Sequence, residues 1–425
     1  MKSGLKISIN SIDILALLII SNALLNIPYI NYLYDLKTLK VAVFGITILG
    51  QLLFFFFHKI AVRKEHFILL ADVLFIFLVT VIYSGSLTQF VSDTGTAITT
   101  CFMVVICRKK QDIKRVINIW CFFLFLLLLI DTATMFIWPD TMYKSTFAHN
   151  NWFLGYKTSR LEYTFSLLVL HMYGQLLDSD ELPLRSFALA LLVSVNALMS
   201  RGSGSAIAVI GFSVIMYILF RRKKKTISRI VQDKTRSLVN NHALLLIIWG
   251  ISFLLFVAFQ NQTIFSSVIV SVFNKTYSFN ERTNIWESVL ATLKDHWFIG
   301  VGMQSRGQMM ELTDGFANAH NTLFTYLLTG GVVGVSMLIY VFAAALKRTS
   351  KCPANYAVTV YFYCMLFLGI NSSALAFCPF FFAIMLLPLA DYAEKTVPVP
   401  SADAKDEEDT EDWSYEDWYE EQKIR

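Results

Sequence analysis

Three isolated arginines and one histidine are the residues of this chain best suited to chemistry. Arg160 lies in Lys157-Thr-Ser-Arg-Leu-Glu162. Arg201 occupies the tight turn Ser200-Arg-Gly-Ser-Gly204. Arg282 opens Arg-Thr-Asn-Ile-Trp286, and His320 opens His-Asn-Thr-Leu323. An arginine always carries its charge, and its planar fork matches phosphate oxygens in pairs. Placed at membrane depth it is costly and usually has an anionic partner. A histidine titrates near neutrality and suits proton transfer. The set therefore points to a phosphate-bearing ligand. For any one arginine taken alone, a side chain snorkelling to the interface is the preferred reading. Arg201 has the stronger case, because its Gly/Ser turn is too short to carry it away from the membrane and leaves room for a ligand.

The elements that must position these residues are apolar. Of 425 residues, 56% are hydrophobic and only 16% charged, with 36 Phe. A soluble chain of this size exposes far more charge, so the fold class is an all-α polytopic membrane protein. Apolar runs long enough to cross a bilayer occur near 12–30, 39–57, 67–84, 90–107, 116–138, 160–177, 184–199, 204–220, 242–259, 321–345, 356–373 and 375–391. They predict about twelve transmembrane helices in one domain, 1–397. The first run is too long for a signal-peptide core and reads as a retained helix. The six cysteines lie in apolar segments or beside basic loops, with no CxxC and no Cys/His spacing for zinc. No disulfide framework, metal or cofactor is indicated.

Charge orients the helices. With Lys2 and Lys6 inside, four of the five even-numbered connections, 58–66, 108–115, 221–236 and 347–351, are strongly basic. The odd-numbered ones are basic-poor. The positive-inside rule then puts both termini in the cytoplasm and the large loop 260–320 outside. Arg160, Arg201, Arg282 and His320 all fall on that outer side. The loop holds an amphipathic stretch, Arg282 to Trp297, with Ile285, Trp286, Val289, Leu290, Leu293 and Trp297 at helical spacing. Such a helix is expected to lie on the membrane surface, apolar face down.

Ser-Arg-Gly (200–202), Arg-Thr-x-x-Trp (282–286), Gly-Val-Gly (300–302), His-Asn-Thr-Leu (320–323) and Gly-Gly-x-x-Gly (330–334) follow in this order around the outer loop. The combination resembles the O-antigen ligase and polysaccharide polymerase family of bacterial membrane glycosyltransferases. The motifs cover about a third of the chain. The resemblance implies a bacterial plasma-membrane enzyme with an extracytoplasmic active site. Its donor would be a glycan on an undecaprenyl-diphosphate-type carrier, and its acceptor a sugar hydroxyl. No metal or nucleotide sugar would be needed. Carried over, Arg201 and Arg282 would clamp the diphosphate and His320 would be the general base. Arg160 would be a secondary phosphate or glycan contact, with Asn321 and Trp286 also on the substrate. The chemistry of the residues agrees, since breaking a glycosyl-phosphate bond builds charge that fixed cations stabilise. His320 is also placed to hydrogen-bond substrate or cap its helix.

Polymerase and ligase share these motifs. A composition rich in Ile, Asn, Lys and Phe leans toward a capsule or exopolysaccharide polymerase. A flippase or transporter of lipid-linked glycans is the alternative from another class. Against it, there is no internal repeat. A cell-wall polymerase of the shape-and-division type would want an outer acid in a motif, and none is present. His149 and His296 read as surface or interface histidines, and His171 as locally hydrogen-bonded. Asp131 and Glu162 read as partners between helices. Trp138, Trp152, Phe153 and Tyr156 suit either sugar stacking or an interfacial belt. Residues 398–425 form an acidic tail interleaved with Trp413, Tyr415, Trp418 and Tyr419. It is expected to be disordered in isolation or docked on a cytoplasmic partner or the basic loop 221–236. Nothing suggests nucleic acid.

Overall fold

A computed structural model of the chain describes residues 10–60, 62–144, 150–156, 158–221, 226–258, 280–373 and 378–390. His149 and the tail lie outside the described residues. Among those described, every regular element is helical. The helices are α1 (Ser11–Leu25), α2 (Pro28–Leu33), α3 (Lys37–His58), α4 (Lys64–Ile82), α5 (Leu87–Ile106), α6 (Lys110–Ile137), α7 (Leu161–Leu176) and α8 (Leu184–Met199). There follow α9 (Ser203–Phe220), α10 (Thr226–Asn240), α11 (His242–Phe253), α12 (Asn280–His296), α13 (Arg306–Leu312), α14 (Thr322–Leu346), α15 (Pro353–Leu368) and α16 (Phe381–Leu386).

Among the described residues, fewer helices than the twelve expected are by themselves long and apolar enough to cross a bilayer. Six of them, α3, α4, α5, α6, α9 and α14, are long and apolar enough to span a bilayer, or seven if the pair bent by 68° at Asn241 counts as one. Helices α1, α8 and α15 are apolar but only 15, 16 and 16 residues long. At about 1.5 Å per residue they fall short of the roughly 30 Å hydrocarbon core. Proline explains two of the departures. The run 12–30 is divided at Pro28, which starts α2. The run 375–391 yields only α16, six residues between Pro379 and Pro388. Proline has no N–H for a helix interior and restricts the residue before it. An apolar run records where the chain avoids water, not whether it stays straight.

The core is built around α7, of which nearly every residue is buried, and around α16, which is buried on all sides but Phe382. A helix apolar all round belongs in the interior of a bundle. His171 on α7 bonds Ser186 Oγ at 3.1 Å, the local partner its setting predicts.

Helix α12 packs on protein. Ile285, Trp286, Val289 and Leu293 are buried against Ala319, Ile370 and the α14 residues Phe324 and Leu328. Leu290 and Trp297 remain 51% and 57% exposed. At about 100° per residue these two lie on the edge of the apolar stripe, so the neighbouring helix covers the centre and leaves them out. The centre of the stripe is thus turned to α14 rather than to a membrane surface.

The helix that follows His320 is broken. Gly331 in α14 has φ 60 and ψ −163, far from helical values. The break frees two carbonyls and two amides, and the segment 297–302 takes them. Val301 N–H donates to Leu328 O at 2.6 Å and Gly302 N–H to Thr329 O at 3.0 Å. In return Val332 N–H donates to Trp297 O at 2.9 Å and Val333 N–H to Phe298 O at 3.2 Å. A Cβ at Gly331 would run into the Phe298 carbonyl, and one at Gly300 would stand 2.6 Å from Leu328 O. Irregular backbone inside a membrane helix survives only where protein satisfies its polar groups. Gly-Val-Gly and Gly-Gly-x-x-Gly are therefore two halves of one joint, which holds α12 and the loop after it against α14.

Candidate active site

The joint sets the first turn of α14, and the segment 369–372 completes the site. Asn321 is the N-cap of α14. Its Oδ1 accepts from Phe324 N–H at 3.0 Å, while Nδ2 donates to Ile370 O at 2.9 Å. Thr322 N–H donates to Gly369 O at 2.8 Å, and its Oγ1 to Ser372 O at 2.7 Å. On the other side, Arg282 Nη1 donates to Asn371 O at 3.0 Å and to Asn371 Oδ1 at 3.3 Å. One short strap thus binds the residues directly after His320 and the guanidinium of Arg282. Trp286, a turn further along α12, donates its indole N–H to Ala319 O at 3.1 Å, directly before His320.

His320 is held between these two anchors with φ +48, and its N–H donates to Asn318 Oδ1 at 2.8 Å. A non-glycine residue in the left-handed region is strained, and it persists only where its surroundings over-determine it. The side chain is exposed, yet the protein mass around it removes enough water to lower its pKa below the usual 6.5, and the Arg282 charge lowers it further. The imidazole is thus neutral at neutral pH and has a free lone pair. Burial also lowers the pKa of Arg282, with Tyr156 opposing the shift. Arg282 starts high enough to remain a cation.

Arg201 stands apart from this pair. It follows the last residue of the α8 C-cap with φ +58, a position glycine usually fills. Its turn packs beside α15, since a Cβ at Gly204 would lie 3.6 Å from Leu368 Cδ1, three residues before Asn371. Its guanidinium is 66% exposed and pairs with the exposed Asp140 at 3.6 Å. An exposed pair of this kind is weak and is readily exchanged for a better anion.

The three residues expected to touch substrate from the side are the ones the protein encloses. Arg160 is fully buried. Its Nη1 faces Asp131 Oδ2 at 3.2 Å, its Nη2 donates to Gly155 O at 3.0 Å, and its guanidinium lies 5.2 Å from the centre of the Trp152 ring. Asp131 also accepts from Leu154 N–H at 2.8 Å and Asn196 Nδ2 at 3.0 Å. Arg160 is therefore the cation of an internal ion pair and offers no edge to a glycan. The same ion pair answers the expectation that Asp131 pairs between helices. Asn321 and Trp286 are likewise buried, as a cap and an anchor for the loop that carries His320. Trp152 is core, with its indole N–H on Trp138 O at 2.8 Å, and Trp138 is exposed. What sequence reasoning missed is Asn371, which lies in a short polar connection with no motif. Its only signal is an amide beside Ser372 and Ser373.

Below the first turn of α14 lies an apolar cavity of about 290 Å³. Trp249, Phe253, Leu323, Tyr326 and Phe342 line it, and Asn321 and Thr322 stand at its wall.

No curated protein matches the chain. Residues 187–339 match the protein family described as O-antigen ligase. The match takes in Arg201, Arg282, His320 and both halves of the glycine joint, and it leaves out Arg160 and Asn371. From α8 to the middle of α14 the chain is therefore similar to the O-antigen ligase family.

Proposed function

We propose that this protein is a polysaccharide polymerase. It transfers glycan repeat units from an undecaprenyl-diphosphate-type carrier to a sugar hydroxyl at the outer face of the bacterial plasma membrane. The observation that carries the reading is the shared strap: Arg282 and the turn bearing His320 are tied to the same four residues, 369–372. In the reaction the bond between the anomeric carbon and the diphosphate oxygen breaks, and its electrons stay on the diphosphate. Arg282 balances that charge from a fixed position in a poorly hydrated site, where such a cation acts most strongly. Arg201, held only by the exposed Asp140, moves onto the diphosphate as a second cation. The acceptor hydroxyl forms the new bond to the anomeric carbon, and its proton passes to the neutral imidazole of His320 and then to water. The apolar cavity below the first turn of α14 takes the start of the isoprenoid chain. The scheme calls on no metal or nucleotide.

The outer-face assignment rests on the basic loops 58–66, 108–115, 221–236 and 347–351, which the positive-inside rule puts in the cytoplasm. Polymerase is preferred to ligase on the Ile-, Asn-, Lys- and Phe-rich composition. The test is to incubate purified protein with a defined diphosphate-linked repeat unit and resolve the products by size. A ladder of longer glycans, lost in Arg201→Ala, Arg282→Ala and His320→Ala proteins that still insert normally, is the expected outcome. Transfer to a different acceptor with release of free carrier makes the protein a ligase. Movement of intact substrate across vesicles, with no bond broken, overturns the enzyme reading.

A further inference from the structure

Among the described residues, Arg160 is fully buried and Arg282 half-buried, and their guanidinium groups are held in different ways. Arg160 faces a carboxylate, Asp131, at 3.2 Å. Arg282 is gripped at Nη1 by two uncharged oxygens of one residue, the main-chain and side-chain oxygens of Asn371 at 3.0 and 3.3 Å. Hydrogen bonds from a charged donor are stronger than neutral ones, so two on one nitrogen fix the plane of the fork. Both of these acceptors are uncharged, so they orient the fork without themselves opposing its charge.

The place of Asn371 in the chain gives the grip a further consequence. Its neighbours on either side, Ile370 and Ser372, offer the carbonyls that bind Asn321 Nδ2 and Thr322 Oγ1. Those are the two residues after His320. Three successive residues of the strap therefore hold, in turn, the cap after the histidine, the arginine, and the first turn of α14. Moving the guanidinium away from the first turn of α14 therefore breaks a bond to Asn371.

We infer that Asn371 is a positioning residue of the active site, which sets the orientation of the Arg282 guanidinium relative to His320 and to the departing diphosphate. Its role toward the diphosphate rests on the transfer reaction proposed above, and its role toward His320 does not. Asn371 lies outside the residues that match the O-antigen ligase family, 187–339, and belongs to none of the motifs around the outer loop.

The isosteric change Asn371→Asp tests the inference. It keeps the shape of the side chain and its acceptor oxygens but puts a negative charge against Arg282. The charged or titratable groups that act here are Arg282 on His320 and Tyr156 on Arg282. A carboxylate beside Arg282 offsets the positive field at the imidazole, so His320 must titrate at higher pH.

The experiment uses the full chain in detergent micelles with ¹³C-labelled histidine, and His320→Gln assigns the His320 resonance. In Asn371→Asp the titration midpoint of His320 should rise by about one pH unit. In Asn371→Ala, which keeps only the main-chain acceptor, kcat/KM for glycan transfer should fall by about tenfold, with the loss in kcat. A residue with a purely structural role would lower the melting temperature of Asn371→Ala and leave kcat per folded protein where it was. An unchanged midpoint in folded Asn371→Asp overturns the inference, as does wild-type kcat in Asn371→Ala. If the wild-type protein transfers no glycan, the transfer reading fails by itself, and the histidine titration still decides whether Asn371 governs the Arg282–His320 geometry.

Discussion

Removing the charge of Asp131 should destabilise the protein far more than it disturbs its chemistry. Asp131 and Arg160 are both fully buried, and their ion pair spans 3.2 Å. Asp131 uses one oxygen for Leu154 N–H and the other for Arg160 and Asn196 Nδ2. All its partners are donors. In Asp131→Asn one of the two acceptors becomes an NH2 group, so whichever way the amide turns, a donor faces a donor. That misfit alone costs about 1–3 kcal/mol. Arg160 is left as a buried cation without its counter-charge, and breaking such a pair from one side typically costs about 3–5 kcal/mol in all. Against a total stability on the order of 5–15 kcal/mol, this is a large share. Replacing both charges with apolar residues, Arg160→Met with Asp131→Leu, removes the uncompensated cation and should cost clearly less than the single change. The assay is reversible unfolding of the purified protein in mixed micelles, run beside a transfer assay normalised to folded protein. The single variant should lose about 3–5 kcal/mol, and the folded fraction of either protein should transfer glycan at close to the wild-type rate. If Arg160→Met abolishes transfer while stability is unchanged, Arg160 touches substrate and the argument from burial is wrong.

Three further outcomes follow from the joint and from the charges. Gly331→Ala should cost about 1–2 kcal/mol for the left-handed backbone and a further 1–3 kcal/mol for overpacking, because the atoms in its way are main-chain atoms of Phe298 and Ile299 that cannot rotate aside; near-native stability on denaturant unfolding would mean the break in α14 is not docked as described. His320 must be neutral to accept a proton, so the transfer rate should fall on acidification with a midpoint below the usual 6.5. Arg282→Gln removes the nearby positive charge and should shift that midpoint upward while lowering the rate, and initial rates measured from acidic to neutral pH with an unmoved midpoint would contradict the electrostatic coupling.

Much of the site could be read before any coordinates, for a definite reason. Arg282, Trp286, Gly300, Gly302, His320 and Gly331 fall within one stretch of about fifty residues, where spacing along the chain still reports closeness in space. The four central positions of the α12 stripe were legible from helical periodicity, and its two edge positions were not, since what covers an edge depends on the neighbouring helix. The partner of Arg160 was not legible, because an arginine at the start of an apolar run looks the same from the sequence whether it faces a substrate phosphate or Asp131, twenty-nine residues away on another helix. Asn371 was passed over because its partner lies eighty-nine residues distant, far beyond the reach of local pattern. The helix ends at Pro28, Pro379 and Pro388 were not legible from hydropathy, which continues there while the helix does not.

The amino-acid sequence alone determined that the chain is a helical membrane protein, which connections carry the positive charge, and where the arginines and the histidine of a transferase would stand. Those are properties of composition and short-range order, and they survive without knowledge of neighbours. Tertiary structure decided which cation is locked in an internal pair, which one meets the imidazole, and that a strap of four residues joins them. Such choices depend on side chains brought together from distant parts of the chain by the packing of helices, and no local spacing encodes them.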